Sequence, residues 1–142
     1  MKRLSIIGCA LALSFMLSPA LALADVVVVV ARENPVTTLT HAQLADIYLG
    51  RLSRFPNGGS VVPIDQKEGA DVRAEFYSEY LGRSPAQIKA HWSKLIFTGR
   101  GQPPRSVADG PAMIEFIAEH PDAIGYMDSD HVNDDVRIVS IE

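Results

Sequence analysis

Cysteine is almost absent from this chain: of 142 residues only Cys9 carries a thiol. It falls in a segment that reads as an export signal, so the mature chain is expected to have no disulfide, thiolate metal site or cysteine nucleophile. A long uninterrupted apolar run is missing too. Lys2 and Arg3 precede an apolar core from Leu4 to Leu17, Pro19 interrupts it, and Ala22-Leu23-Ala24 offers a small-x-small cleavage site before Asp25. That core is shorter than the roughly 20 residues a spanning helix needs. Residues 1–24 are therefore expected to be a cleaved signal peptide, with residues 25–142 forming one periplasmic domain. Ile6-Ile7-Gly8-Cys9 superficially matches a lipoprotein acylation site, but most of the apolar core follows Cys9 instead of preceding it.

Basic residues are scarce. Without Lys2 and Arg3, 11 Lys and Arg face 17 Asp and Glu, a formal charge of −6 with histidine neutral. This balance argues against nucleic acid or an anionic membrane as the main partner, while leaving room for a local basic pocket. Catalytic signatures are also lacking: there is no Gly-x-Ser-x-Gly elbow and no His-Glu-x-x-His helix. Asp65 and Glu68 are the nearest thing to an acid/base pair, at a spacing common by chance. His41, His91, His120 and His131 have no metal-ligand spacing. The run Asp128, Asp130, Asp134, Asp135 lacks the glycine and the bidentate glutamate of a calcium loop. The expectation is a non-enzyme with no metal and no cofactor.

What the chain does contain is an alternation of strand and helix signals. Val26 to Ala31 is a β-branched run suited to a central strand buried on both faces. Thr40 with Gln43 forms a capping-box pattern before Leu44, Ile47 and Tyr48, and Gly50 ends that helix. Pro56, Asn57, Gly58 and Gly59 mark a turn, and Val61 to Asp65 a short strand. A second helix is predicted from about Gly69 to Leu81, stopped by Gly82. A third opens at Ser84-Pro85 with Gln87 completing another capping box, and carries Ile88, Trp92, Leu95 and Ile96 as its apolar stripe. Thr98 to Arg105 reads as a loop, Ser106 as the cap of a fourth helix, and Ala123–Met127 and Val136–Ile141 as strands joined by an acidic turn. The pattern predicts an α/β layer structure, a mostly parallel sheet flanked by helices. Ligands of such sheets sit at the carboxyl ends of strands near helix N-termini, which singles out Asp65 to Arg73.

Four segments in a fixed order support a resemblance: Leu39 through Gly50; Val62-Pro63-Ile64-Asp65 through Arg73-Ala74-Glu75-Phe76; Trp92 with Phe97-Thr98-Gly99; and Ala123-Ile124-Gly125-Tyr126. From about Thr37 to Met127 the chain resembles one lobe of the periplasmic phosphate-binding proteins of ABC transporters, and most closely short exported proteins that consist of that lobe alone. The resemblance implies a periplasmic-binding-protein-like (PBP-like) fold. It also implies an oxyanion held by helix N-terminal N–H groups, hydroxyls, an arginine and an acid. Carried over, it gives Glu68 at the acidic position, Gly69 at the first glycine, Ala70 at a hydroxyl position and Arg73 as ligand-binding residues; Lys67 beside them completes the candidate site, with Arg100 and Arg105 of the glycine-proline loop as additions. The chain departs from the pattern where Ala70 and Val72 replace hydroxyl-bearing residues and Asp71 replaces a glycine. Asp71 would occupy the positive field an anion would use.

Two functions remain open at this point. One is a solute-binding module for phosphate or another small oxyanion in association with ABC transport, with a homodimer supplying two walls. The other is a non-catalytic module that has lost ligand binding and docks on a membrane or periplasmic protein through Thr98–Arg105 and an apolar face. The plain structural alternative to a ligand site is a helix N-terminus whose charges face solvent, with Arg73 paired to Glu68 or Asp71 on the helix surface.

Overall fold

The computed structural model describes residues 25–142; the expected signal peptide and its expected cleavage after Ala24 lie outside the described residues. Strand β1 spans Val26–Ala31 and β2 Thr38–Leu39. Helix α1, His41–Tyr48, starts where expected, with Thr40 and Gln43 closing the reciprocal capping box. Strand β3 covers Val62–Gln66, and helix α2, Asp71–Phe76, runs directly into a π-helical turn, Tyr77–Leu81, ended by left-handed Gly82. Helix α3, Pro85–Phe97, has the second capping box, from Ser84 and Gln87. Then come β4 (Arg105–Val107), α4 (Gly110–Glu119), β5 (Ala123–Asp128), a 3-10 turn (Ser129–His131) and β6 (Val136–Ile141).

The six strands form one sheet in the order β2-β6-β1-β5-β3-β4. Pairs β2/β6, β3/β5 and β3/β4 are parallel, whereas β1 is antiparallel to both β5 and β6. The predicted burial of β1 on two faces holds. Val26, Val28 and Val30 pack with Leu44, Tyr48, Phe76 and Trp92, while Val29 and Ala31 pack with Met113, Ile114 and Ile117. Helices α1 to α3 thus cover one face and α4 the other. Gly125 lets α4 approach, since a Cβ there would lie 2.4 Å from Met113 Sδ.

Three local expectations are corrected. Ser106 lies inside β4, and Asp109 caps α4 instead, accepting from Ala112 N–H at 3.0 Å. Pairing with Ile64, Asp65 and Gln66 of β3 holds the stretch from Arg105 extended, which a short window of apolar spacing does not reveal. The second helix begins at Asp71 and widens at Tyr77; the π turn directs Phe76 and Tyr77 into the core and lets Tyr80 O–H reach Val26 O at 2.7 Å. Finally, β5 and β6 flank β1 in the same direction, so the acidic segment between them returns along the sheet instead of making a hairpin, with Val132 packed on the α4 side.

Candidate functional site

The passage from β3 to α2 is built from one tight turn. Lys67 N–H donates to Val107 O of β4 at 3.1 Å, Ala70 N–H closes on Lys67 O at 3.2 Å, and between them Gly69 has φ +85°, a left-handed conformation that favours glycine. Ala70 stands at the helix N-cap with no side-chain cap. Arg73 and Ala74 N–H both turn back to Ala70 O, at 3.2 and 3.3 Å. The N–H groups of Asp71 and Val72 have no acceptor among the described residues, as expected for an uncapped first turn.

Beneath the turn lies a buried polar network. Asp65 is 4% exposed at the end of β3. Its Oδ2 accepts from Tyr77 O–H at 2.6 Å, and its Oδ1 accepts from Gln66 N–H at 2.9 Å and from Tyr126 O–H. Arg73 Nε lies 3.3 Å from the same Oδ1, its guanidinium 5.1 Å over the Tyr77 ring, with the side chain only 12% exposed. Gln66 Nε2 donates to Tyr126 O at 3.0 Å, and Tyr126 stacks on Phe76 with centroids 3.9 Å apart. Burial first, then the Asp65 charge, push the Tyr77 and Tyr126 hydroxyls well above the usual tyrosine pKa. Both stay protonated and serve as fixed donors. Arg73 therefore pairs inward with Asp65, not on the surface with Glu68 or Asp71.

Above the turn, the starts of α2 and α4 converge on an open hollow of about 370 Å³. Lys67, Ala70, Asp71 and Val72 line one side, Asp109 and Gly110 the other, with Asp128 and His131 between. Gly110 is required there, because a Cβ would fall 2.5 Å from His131 Nδ1. Two helix N-termini direct positive field into this space. Three carboxylates answer it: Asp71 in the first turn of α2, Asp109 as the α4 cap, and Asp128 at the end of β5. Against Lys67 alone they leave the rim with two excess negative charges when His131 is neutral.

The expected ligand residues are thus partly brought together. Lys67, Glu68 and Gly69 are exposed in the turn, Ala70 lines the hollow, and Arg73 lies underneath it, tied to Asp65. Arg100 is exposed in the loop after α3 and does not line the hollow. Sequence reasoning missed Asp109, Gly110, Asp128 and His131, which reach the site from distant elements. The one available signal was Asp65-Gln66, two polar residues closing an otherwise apolar strand. Among the described residues no cluster of three His, Cys, Asp or Glu side chains is placed to hold a metal.

No family model and no curated protein matches the sequence. Solved structures do match. A phosphate transport receptor of the ABC type from Vibrio cholerae superposes with a TM-score of 0.66 at 20% identity, over 83% of this chain and 46% of that one. A putative phosphate ABC transporter substrate-binding protein with bound phosphate, from Clostridium perfringens, gives 0.65 at 19% identity, over 83% and 45%. PstS from Borrelia burgdorferi gives 0.64 at 14%, over 84% and 47%. The chain has the fold of one lobe of a phosphate-type PBP. It spans less than half the length of these proteins.

Proposed function

We propose that this lobe is a non-catalytic, exported solute-binding domain that takes a small oxyanion, with phosphate the leading member, at the turn from Lys67 to Arg73 in association with ABC transport. The observation that carries the reading is the convergence of the α2 and α4 N-termini on one hollow, with the Asp71 and Val72 N–H groups unpaired among the described residues. Lys67 adds the positive charge. Ala70 and Gly69 leave the backbone open to close approach, and Glu68 or Asp71 accepts the proton of a protonated anion. Arg73 acts from below through Asp65, setting the helix start, while Arg100 stands apart. A second copy of the chain supplies an opposite wall to the open hollow.

The carboxylate rim gives this reading a chemical consequence. A monoanion bearing a proton can donate to a carboxylate; a fully deprotonated dianion meets only repulsion there. Phosphate at neutral pH is therefore expected to stabilise the exported chain more than sulfate at equal ionic strength. Thermal unfolding across phosphate, sulfate and carboxylates tests it. Anion at about 100 times its dissociation constant adds about 2.7 kcal/mol, and Lys67→Ala removes most of the shift. No shift with any anion overturns the proposal. It would leave the reading favoured by a different observation, a docking module, since Phe97 beside the Thr98–Arg105 loop is 89% exposed.

A further inference from the structure

The acidic balance of the chain hides a strong segregation of charge. Between Glu79 and Asp109 there is no carboxylate, yet Arg83, Lys89, Lys94, Arg100 and Arg105 fall there; the other described residues hold only 6 Lys and Arg against 17 Asp and Glu. This basic stretch is α3 with its flanks. Ile88, Trp92 and Leu95 turn one face of α3 into the core. At about 100° per residue, Phe97 stands on the opposite face in line with Ala86, Ala90 and Ser93, with Lys89 and Lys94 to either side. Phe97 is 89% exposed and Ile96 55%. Beside them a shallow hollow of about 600 Å³ has Leu81 and Ala90 as its apolar lining and Arg83, Gln87, His91 and Lys94 as its polar lining, with no carboxylate among the lining residues. His91 is held against Leu49 O at 3.0 Å, and Arg83 and Lys94 are the permanent cations of the lining.

We propose that this outward face of α3 docks the protein on an anionic phospholipid surface, with Phe97 entering the headgroup region and Arg83, Lys89, Lys94 and Arg100 lying against lipid phosphates. Charge complementarity carries the partner's sign. The shape of the apolar part carries its nature. A protein interface needs a fully buried core within about 800 Å² per partner, whereas here one aromatic side chain projects from a row of small residues. A projecting aromatic ringed by basic side chains suits a fluid interface that closes around it. Each basic residue near an anionic leaflet raises partitioning about fivefold. The acidic remainder lies on other elements, and beyond a screening length of about 8 Å at physiological salt its repulsion fades. The overall balance that argues against a membrane is an average over two unlike surfaces. None of these residues lines the hollow at Lys67 to His131, so docking and solute binding succeed or fail separately.

The test is co-sedimentation of the exported chain with vesicles of phosphatidylglycerol and phosphatidylcholine, against phosphatidylcholine alone. The expected result is binding to the anionic vesicles only, lost at roughly 0.5 M salt. Lys89→Gln with Lys94→Gln lowers partitioning roughly thirtyfold, while the same charge change at exposed Arg32 and Arg54, in the segments after β1 and α1 and outside the proposed face, lowers it by less than about twofold. Phe97→Trp emits at shorter wavelength on binding and is quenched by brominated lipid. All these side chains are exposed, so circular dichroism should show unchanged folding. Equal binding to neutral vesicles overturns the proposal, as does equal loss from the two charge pairs. Absence of vesicle binding alongside capture of poly-glutamate also overturns it, and assigns the face to an acidic protein instead.

Discussion

Replacing Asp65 with asparagine keeps the shape of the side chain and removes the charge that three hydrogen-bond donors and the Arg73 guanidinium share. In the native lobe the carboxylate accepts from Gln66 N–H, Tyr77 O–H and Tyr126 O–H and lies 3.3 Å from Arg73 Nε. An asparagine oxygen at Oδ1 can keep the Gln66 and Tyr126 contacts, now at neutral strength. The amide nitrogen at Oδ2 meets Tyr77, whose hydroxyl must rotate to accept. A hydrogen bond to a charged group is worth about 1.5–3 kcal/mol against about 1 for a neutral one. Stranding a buried charge costs about 3–5 kcal/mol, reduced here because the Arg73 side chain keeps 12% of its surface in water. Together these place the loss for Asp65→Asn at about 3 kcal/mol. Urea unfolding followed by circular dichroism measures it, with Arg73→Met and the double variant completing a cycle. Because Arg73→Met removes the stranded charge, the double variant should recover about 1–2 kcal/mol relative to the sum of the two single changes. A loss below about 1 kcal/mol, or strict additivity, would refute the view that this network anchors the β3–α2 junction.

Other outcomes follow from the same structure. Tyr77 and Tyr126 have pKa values raised above the 10.0 of an unfolded tyrosine. Their contribution is therefore intact below pH 10 and is lost as pH rises towards the folded values, with stability falling by up to about 1.4 kcal/mol per pH unit for each. Tyr126→Phe should flatten that alkaline slope in a pH series of urea midpoints. Gly50→Ala should cost about 2 kcal/mol, since φ is +77° and the new Cβ would lie 2.9 Å from the rigid Trp92 ring; thermal unfolding would show it. Ser84→Ala removes the cap that receives Gln87 N–H at 3.2 Å and should cost about 1 kcal/mol in the same assay. Lys67→Ala should leave the unliganded midpoint nearly unchanged and weaken only the phosphate response, because Lys67 is exposed.

Some elements were legible in the sequence because their causes are local. Thr40 with Gln43 and Ser84 with Gln87 cap their helices wherever those helices end up, and Gly82 stops its helix because left-handed backbone favours it. The continuous valine run was legible as a doubly covered strand for a similar reason: both faces are apolar whatever packs on them. In the sequence Asp65 reads as a loose acid, but its burial depends on Tyr77, twelve residues on, and Tyr126, from a strand far along the chain. Ser106 has the local look of a cap, but pairing with β3, a non-local contact, holds that stretch extended.

The sequence by itself determined the alternation of strands and helices and most of their ends, since capping, backbone conformation and apolar periodicity act over a few residues. Only the tertiary structure decided that Arg73 turns inward to Asp65 and that Asp71, Asp109 and Asp128 share one rim. It likewise decided that β1 is antiparallel to both neighbours. Charges and strands distant in the chain acquire their partners only when the sheet closes, and the low dielectric of that interior then fixes which pairings persist.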